Sequence, residues 1–491
     1  MFTFTEEQQA IIDTQARRVV VQAGAGATKT TSVVAYAAAR PDARILYLAF
    51  NKSVQLEAAS RMPRNVTSKT THAVAFRKAL QLFGRARGSD DLIKVKLGNT
   101  YPSTLVRAFR CSPLAATAAL QAIQRWCGSL EREVGPEHVP MEIAVRLADP
   151  LGVVELARAT LARMVDPAFL DMKLPHDAYL KLFQLDEPRL DGYTHIAVDE
   201  SQDLNMCTFD FVRKQREPTL LLVGDSSQQI NSYRGSVNAL EMLPGAQRLV
   251  LSRSFRFGTG IAALANALLG HYKDPQPPLI VGAGQPERTR FSINIDKPYA
   301  VIARSNAMVF AEAVRLLQTN RRYHFVGGVE GYKLDKVLDA YYLYVGDTGL
   351  IKDPYLRSFS GFDELGALAE DSEDPELKHL VRVIQEYGHQ VPALVDEITA
   401  RHVADLRKEH WATFDGIFFS TAHKAKGLEF DQVWLADDYM RFFKDGRELE
   451  PEEVEPEDVH ILYVALTRAK AAIRLCDEFA EWLLFRGLMP L

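Results

Sequence analysis

A β-rich run at residues 18–21 passes straight into Ala23-Gly24-Ala25-Gly26-Ala27-Thr28-Lys29-Thr30-Thr31, and a helical pattern at 30–39 follows at once. Strand, small-residue loop, Lys-Thr and helix in that order admit few folds. Backbone N–H groups at such a helix N-terminus cradle phosphates, so 23–31 is the expected nucleotide loop. Lys29 is placed to reach the β- and γ-phosphates, and the Thr30 hydroxyl to ligate Mg²⁺. Thr28 stands where such loops normally carry glycine. A β-branched residue is a marked outlier at φ > 0. The loop is therefore expected to turn without a left-handed residue at 28, Gly24 and Gly26 absorbing the difference.

Further strand runs recur at 45–50, 195–198, 220–223 and 248–251, then at 299–303, 323–326, 417–420, 432–435 and 472–475. Helical patterns such as 458–469 separate many of them. That alternation implies parallel, doubly wound sheets, and 491 residues exceed one compact core. Two stretches break the pattern: 76–185, mainly helical as at 103–120, and 333–407, helical and charged. The expected division is a first α/β core at 1–75 and 186–257 with an insertion at 76–185. A second core at 258–332 and 408–491 carries an insertion at 333–407.

The run at 195–198 ends in Asp199-Glu200-Ser201-Gln202-Asp203. A carboxylate at a strand tip, Asp199, can hold Mg²⁺ beside Thr30, and Glu200 can take a proton from an attacking water. About 170 residues separate this pair from the loop, more than a simple core needs, which suits the inserted segment. Gly224-Asp225-Ser226-Ser227-Gln228 ends another strand, where Gln228 can sense the γ-phosphate. Arg256, in Ser254-Phe255-Arg256-Phe257, and Arg468, in Leu466-Thr467-Arg468, sit in apolar surroundings; both suit stabilisation of charge on a transferring phosphoryl group.

A net charge of −5 argues against coating DNA by bulk attraction but not against a local basic track. Acidic clusters at 370–376 and 448–458 read as solvated faces. The start of the chain has no signal-peptide pattern and no apolar run reaches membrane-spanning length. The four cysteines form no CxxC pair, so neither zinc nor a disulfide framework is expected, and a cytoplasmic location is.

These motifs, joined by Phe4-Thr5-Glu6-Glu7-Gln8, Ala49-Phe50-Asn51-Lys52, Tyr233-Arg234-Gly235, Thr421-Ala422-His423-Lys424-Ala425-Lys426-Gly427-Leu428-Glu429-Phe430 and the stretch from Tyr463 to Ala469, resemble the UvrD/Rep-type superfamily 1 helicases from residue 4 to about 476. Leu46-Tyr47-Leu48-Ala49-Phe50-Asn51-Lys52-Ser53, His176-Asp177-Ala178-Tyr179-Leu180-Lys181-Leu182, Ser254-Phe255-Arg256-Phe257-Gly258 and Ser358-Phe359-Ser360-Gly361-Phe362 resemble the helicase portion of the F-box DNA helicases. Neither an F-box nor a nuclease domain is expected.

The resemblance implies two RecA-like parallel-sheet P-loop domains and a 3′→5′ ATP-dependent motor with ATP and Mg²⁺ as cofactors. It implies that Gln8 contacts adenine, Phe255 stacks on it and Glu429 meets the ribose. Lys29, Thr30, Asp199, Glu200 and Gln228 surround the triphosphate and its Mg²⁺, with Arg256 and Arg468 as paired arginines. His460 replaces the arginine common in the last motif, and Tyr233 a common tryptophan.

A sequence-blind motor needs aromatic faces for bases and polar groups for phosphates. Phe50, Asn51, His72, Tyr233, Arg234, Arg304, Asn306, Thr421 and His423 all lie just past strand ends, where open α/β sheets place ligands. The expected partners are single-stranded DNA and junctions with a 3′ single-stranded tail, with a recombinase or other DNA-bound protein as a further candidate. The chain is expected to act as a monomer, away from membranes. The rival expectations are a translocase that strips proteins from DNA with little unwinding, and a nucleotide-gated DNA-binding subunit with weak hydrolysis.

Overall fold

The computed structural model describes residues 3–84, 89–145, 147, 149–231, 235–273, 277–371 and 375–489. The chain forms two compact units, one of Met1–Ala23 with Thr28–Leu251, the other of Gly24–Ala27 with Ser252–Leu491.

In the first unit, β1 (Arg18–Ala23), β2 (Ile45–Ala49), β3 (Val66–Thr70), β4 (His195–Val198), β5 (Thr219–Gly224) and β6 (Gln247–Leu251) make one sheet. Its order is β3-β2-β4-β5-β1-β6, and every pairing is parallel. The central strands are near-continuous Val, Leu and Ile because helices cover both faces. β3 is absent from the expected strands. Val66-Thr67-Ser68-Lys69-Thr70 is an edge strand with only partial burial, so its sequence lacks the apolar run that marks its neighbours.

Between β3 and β4 lies the helical insertion, with helices at Thr71–Phe83, Pro102–Phe109, Pro113–Gly128, Pro150–Val165 and His176–Leu185. The helical run at 103–120 spans two helices. Arg110 turns left-handed at φ 55°, Ser112 accepts the Ala115 N–H and Pro113 opens the next helix. The insertion is tied internally by Lys96, whose fully buried ammonium donates to the carbonyls of Arg163, Asp166, Phe169 and Met172 at 2.7–3.2 Å. An unmet charge there would cost several kcal/mol; four acceptors offset it.

In the second unit, β7 (Tyr299–Ala303), β8 (Arg322–Phe325), β9 (Gly416–Thr421), β10 (Phe430–Leu435) and β11 (Ala469–Arg474) form a parallel sheet in the order β8-β9-β7-β10-β11. The helices Leu334–Val345, Phe362–Asp371, Pro375–Tyr387 and Val391–Arg401 share one core with it. Val337, Ala340, Ile384 and Val391 are buried in the cluster that holds Val301, Phe310 and Phe419. Residues 252–257, expected in the first core, belong here. Arg253–Ser254 pairs with Val281–Gly282, and Gly284 N–H donates to the Phe257 carbonyl at 2.9 Å. Among the described residues no helix is long and apolar enough to cross a membrane.

Candidate functional site

Parallel pairing puts every C-terminal strand end of the first sheet on one edge, and the order β4-β5-β1 sets three motif-bearing tips side by side. Past β1, Lys29 and Thr30 open the helix Lys29–Ala38. Past β4 come Asp199 and Glu200. Lys29 Nζ lies 3.6 Å from Glu200 Oε1, and the Thr30 hydroxyl 3.3 Å from Asp199 Oδ2. Burial pushes the Asp199 carboxyl above its usual range; the Glu200 charge adds to this and Lys29 opposes it. A hydroxyl beside a carboxylate is the hard-oxygen pair that Mg²⁺ accepts alongside phosphate oxygens, so the residues present fit that ion.

The tips of β4 and β5 are bonded into a chain. Gln202 Nε2 donates to Glu200 Oε2 at 2.6 Å, and Gln202 Oε1 accepts the Asp225 N–H at 3.0 Å. Asp225 Oδ2 in turn accepts Gln228 Nε2 at 2.7 Å. Gly224 is required for this closeness, since a Cβ there would meet Gln202 Oε1 at 2.3 Å. Glu200 itself takes a left-handed conformation, φ 50° and ψ 44°. That geometry is rare for a residue with a side chain and concentrates at functional sites.

Thr28 corrects the expectation for the loop. It is left-handed, φ 58° and ψ 38°, as N-cap of the Lys29–Ala38 helix. Two local interactions hold it there. Its hydroxyl accepts the Gln8 amide at 2.9 Å, and its carbonyl accepts the Ser32 N–H at 3.1 Å. Gln8 is 2 % exposed and its Oε1 accepts the Thr5 N–H, so both ends of its amide are engaged. Thr31 accepts a bond from Arg61.

A cleft of about 740 Å³ opens further along the same edge, past β4, β2 and β3. Phe50, Asn51 and His72 line it, as do Lys52, Asp199, Asp203, Asn205 and Asn231. Its far wall is the insertion, through Gln121, Gln124 and Arg125 on Pro113–Gly128 and Asp177 on His176–Leu185. His72 Nε2 lies 2.8 Å from Asp177 Oδ1. Asn51 caps the helix Lys52–Ala59 by accepting the Val54 N–H. Gln121, Gln124 and Arg125 escaped sequence reading, although their i, i+3, i+4 spacing makes one polar stripe on an alanine-rich helix. Tyr233 and Arg234 lie outside the described residues.

In the second unit, Arg256 Nε is 3.1 Å from Glu429 Oε2 and its Nη1 donates to the Thr467 carbonyl. Arg468 is 1 % exposed, donating to the carbonyls of Val464 and Leu428 and to the Thr467 hydroxyl. The two arginines thus meet the same residue, Thr467. Phe255 presents an exposed ring. Gly24–Ala27 pack with this unit: Ala25 N–H donates to the Tyr463 hydroxyl at 3.1 Å, and Phe255 N–H to the Gly26 carbonyl. Gly26 sits at φ 75°, where a Cβ would meet Ser254 Oγ at 2.5 Å. Lys273 Nζ lies 3.1 Å from His460 Nε2, so a cation stands beside the position that lacks the expected arginine.

The tips of β7 and β9 are neighbours. Asp438 holds the backbone N–H groups of Arg304 and Ser305 at 2.8 Å, and Arg304 pairs with Asp458 at 2.5 Å. Asn306 opens the helix Asn306–Arg315, Thr421 caps Ala422–Ala425 and His423 lies within it. Arg304, with Lys378, His379 and Arg382, lines a cleft of about 750 Å³; Asn306, Thr421 and His423 do not.

Residues 7–234 match the model of an AAA domain and 356–476 that of a UvrD-like helicase C-terminal domain. The chain is 31% identical to F-box DNA helicase 1 of Gallus gallus, over 98% of this chain and 50% of that protein. It is 27% identical to F-box DNA helicase protein 1 of Schizosaccharomyces pombe, over 97% of this chain and 58% of that protein. DNA helicase II of Escherichia coli matches at 26% over 36% of this chain and 29% of its own. The chain spans about half the length of the F-box relatives it matches.

Two outcomes follow from the site geometry. Glu200→Gln should keep nucleotide affinity and lower turnover by about 100-fold or more, while Lys29→Ala should weaken binding of a fluorescent ATP analogue as well; near-normal turnover of Glu200→Gln removes it as the base. Arg125→Ala should weaken single-stranded DNA binding and reduce the slope of log K against log salt by about 0.7; an unchanged slope means Arg125 meets no phosphate.

Proposed function

We propose that this chain, which carries an AAA domain and a UvrD-like helicase C-terminal domain and is related to the UvrD-type and F-box DNA helicases, is an ATP-dependent helicase that moves 3′→5′ on single-stranded DNA. One observation carries the reading. A single parallel sheet edge bears the phosphate-loop lysine past β1, the paired carboxylates past β4 and Gln228 past β5, with a polar and aromatic cleft past β4, β2 and β3.

Each residue has a role its surroundings suit. Lys29 meets the β- and γ-phosphates, and Thr30 and Asp199 would hold Mg²⁺, whose charge offsets that of the phosphates. Glu200, oriented by Gln202 and Lys29, takes the proton of the attacking water. Gln228, held by Asp225, reads the γ-phosphate. Phe255 offers a face for adenine, and Arg256 and Arg468 stabilise phosphoryl charge once Arg256 leaves Glu429. In the cleft, Phe50 stacks on bases while Asn51, His72 and Arg125 hold the backbone. Substrates are single strands and junctions with a 3′ tail. The four cysteines are free, as suits a reducing compartment.

The test is ATP hydrolysis with and without single-stranded DNA, beside unwinding of 3′- and 5′-tailed duplexes. DNA should raise turnover by about tenfold or more, some 1.4 kcal/mol in barrier, and only the 3′-tailed duplex should open. Hydrolysis indifferent to DNA rejects the motor; stimulated hydrolysis with opening of the 5′-tailed duplex alone rejects the direction.

A further inference from the structure

Strand β2 reads Ile45-Leu46-Tyr47-Leu48-Ala49 and is wholly buried. Its one polar side-chain atom is the Tyr47 hydroxyl. Burying a hydroxyl costs free energy unless a partner receives it, and here the partner is Asp199: Tyr47 Oη donates to Asp199 Oδ2 at 2.5 Å.

Strand register makes that contact. Tyr47 pairs with Ala197 on β4, so the two side chains share a face, and Asp199, two residues on, shares it too. Asp199 N–H continues the ladder by donating to the Leu48 carbonyl at 3.1 Å. The two-residue rise along β4, about 6.6 Å, is close to the reach of a phenol from its Cα. Ala197 is small enough to let the ring lie beside it.

Asp199 is then held from three sides. Tyr47 and the Thr30 hydroxyl meet Oδ2, and Glu200 N–H meets Oδ1 at 2.9 Å. Two of these donors belong to the loop and the β4 tip themselves. Tyr47 alone comes from a strand with no part in the nucleotide motifs, and it is fully buried in the rigid sheet.

We propose that Tyr47 is a positioning residue for the metal: its phenol fixes the Asp199 carboxylate beside the Thr30 hydroxyl, so that both oxygens are set before Mg²⁺ arrives. The inference rests on the nucleotide reading above. Phenylalanine would fill the same space in β2; the oxygen serves Asp199.

The test is Tyr47→Phe, which deletes one oxygen and keeps the ring. A fluorescent ATP analogue is titrated in EDTA and again at rising Mg²⁺. Affinity in EDTA should stay within about twofold of wild type, while the Mg²⁺ concentration for half-maximal tightening rises about five- to tenfold and excess Mg²⁺ restores most of the lost turnover. Added to Asp199→Asn, the same change should move the Mg²⁺ midpoint no further, because its effect passes through that carboxylate. An unchanged midpoint in Tyr47→Phe overturns the inference, and so does loss of the fold, seen as a large fall in Tm, which would make the oxygen structural. Wild-type protein that binds no nucleotide, or binds it without response to Mg²⁺, sinks the nucleotide reading instead.

Discussion

Everything in the first unit depends on the parallel register of six strands. In an all-parallel sheet the C-terminal ends share one edge, and the loops that leave them must lie together. β4 sits third in the order β3-β2-β4-β5-β1-β6. Its tip therefore faces the phosphate loop on one side, through β5 and β1, and the cleft on the other, through β2 and β3. Asp199 stands at that junction: it touches Thr30 of the loop and also lines the cleft. Asp199 is thus the one residue among those named here that both meets the loop and faces the cleft.

The same edge stores backbone strain. Thr28 and Glu200 are both left-handed, each at a cost of about 1–3 kcal/mol. Neither is loose. Thr28 is held by Gln8 and Ser32, Glu200 by Gln202 and Lys29. The bonds that offset the strain also orient the Glu200 carboxylate and the start of the Lys29–Ala38 helix.

Much of this is legible in the sequence, for physical reasons. Buried parallel strands need unbroken apolar runs, so β1, β2, β4 and β5 announce themselves, and a polar tip on such a strand marks a ligand edge. β3 hid because an edge strand can be built from threonine, serine and lysine. The helix break at Arg110–Ser112 is marked in the sequence by Ser112-Pro113, a cap and first-turn proline, while the left-handed turn at Arg110 is not. Backbone preference alone argues against a left-handed Thr28, since the Gln8 amide that offsets its strain is twenty positions away. No motif singles out Tyr47; its register against Ala197 shows where its hydroxyl ends. The cleft wall of Gln121, Gln124 and Arg125 comes from an insertion whose packing no motif records.

The proposed motor requires that nucleotide and single-stranded DNA, bound along one strand edge, be coupled. Coupling between two ligands is a free energy, and it acts equally in both directions. Its most direct measure is the anisotropy of a labelled single strand titrated with protein, in Mg²⁺, with no nucleotide, with ADP and with a non-hydrolysable ATP analogue. The account predicts strand affinities that differ by about fivefold or more between the ADP and ATP-analogue states, roughly 1 kcal/mol of coupling. Equal affinity in all three states, in protein that binds both ligands, would contradict it.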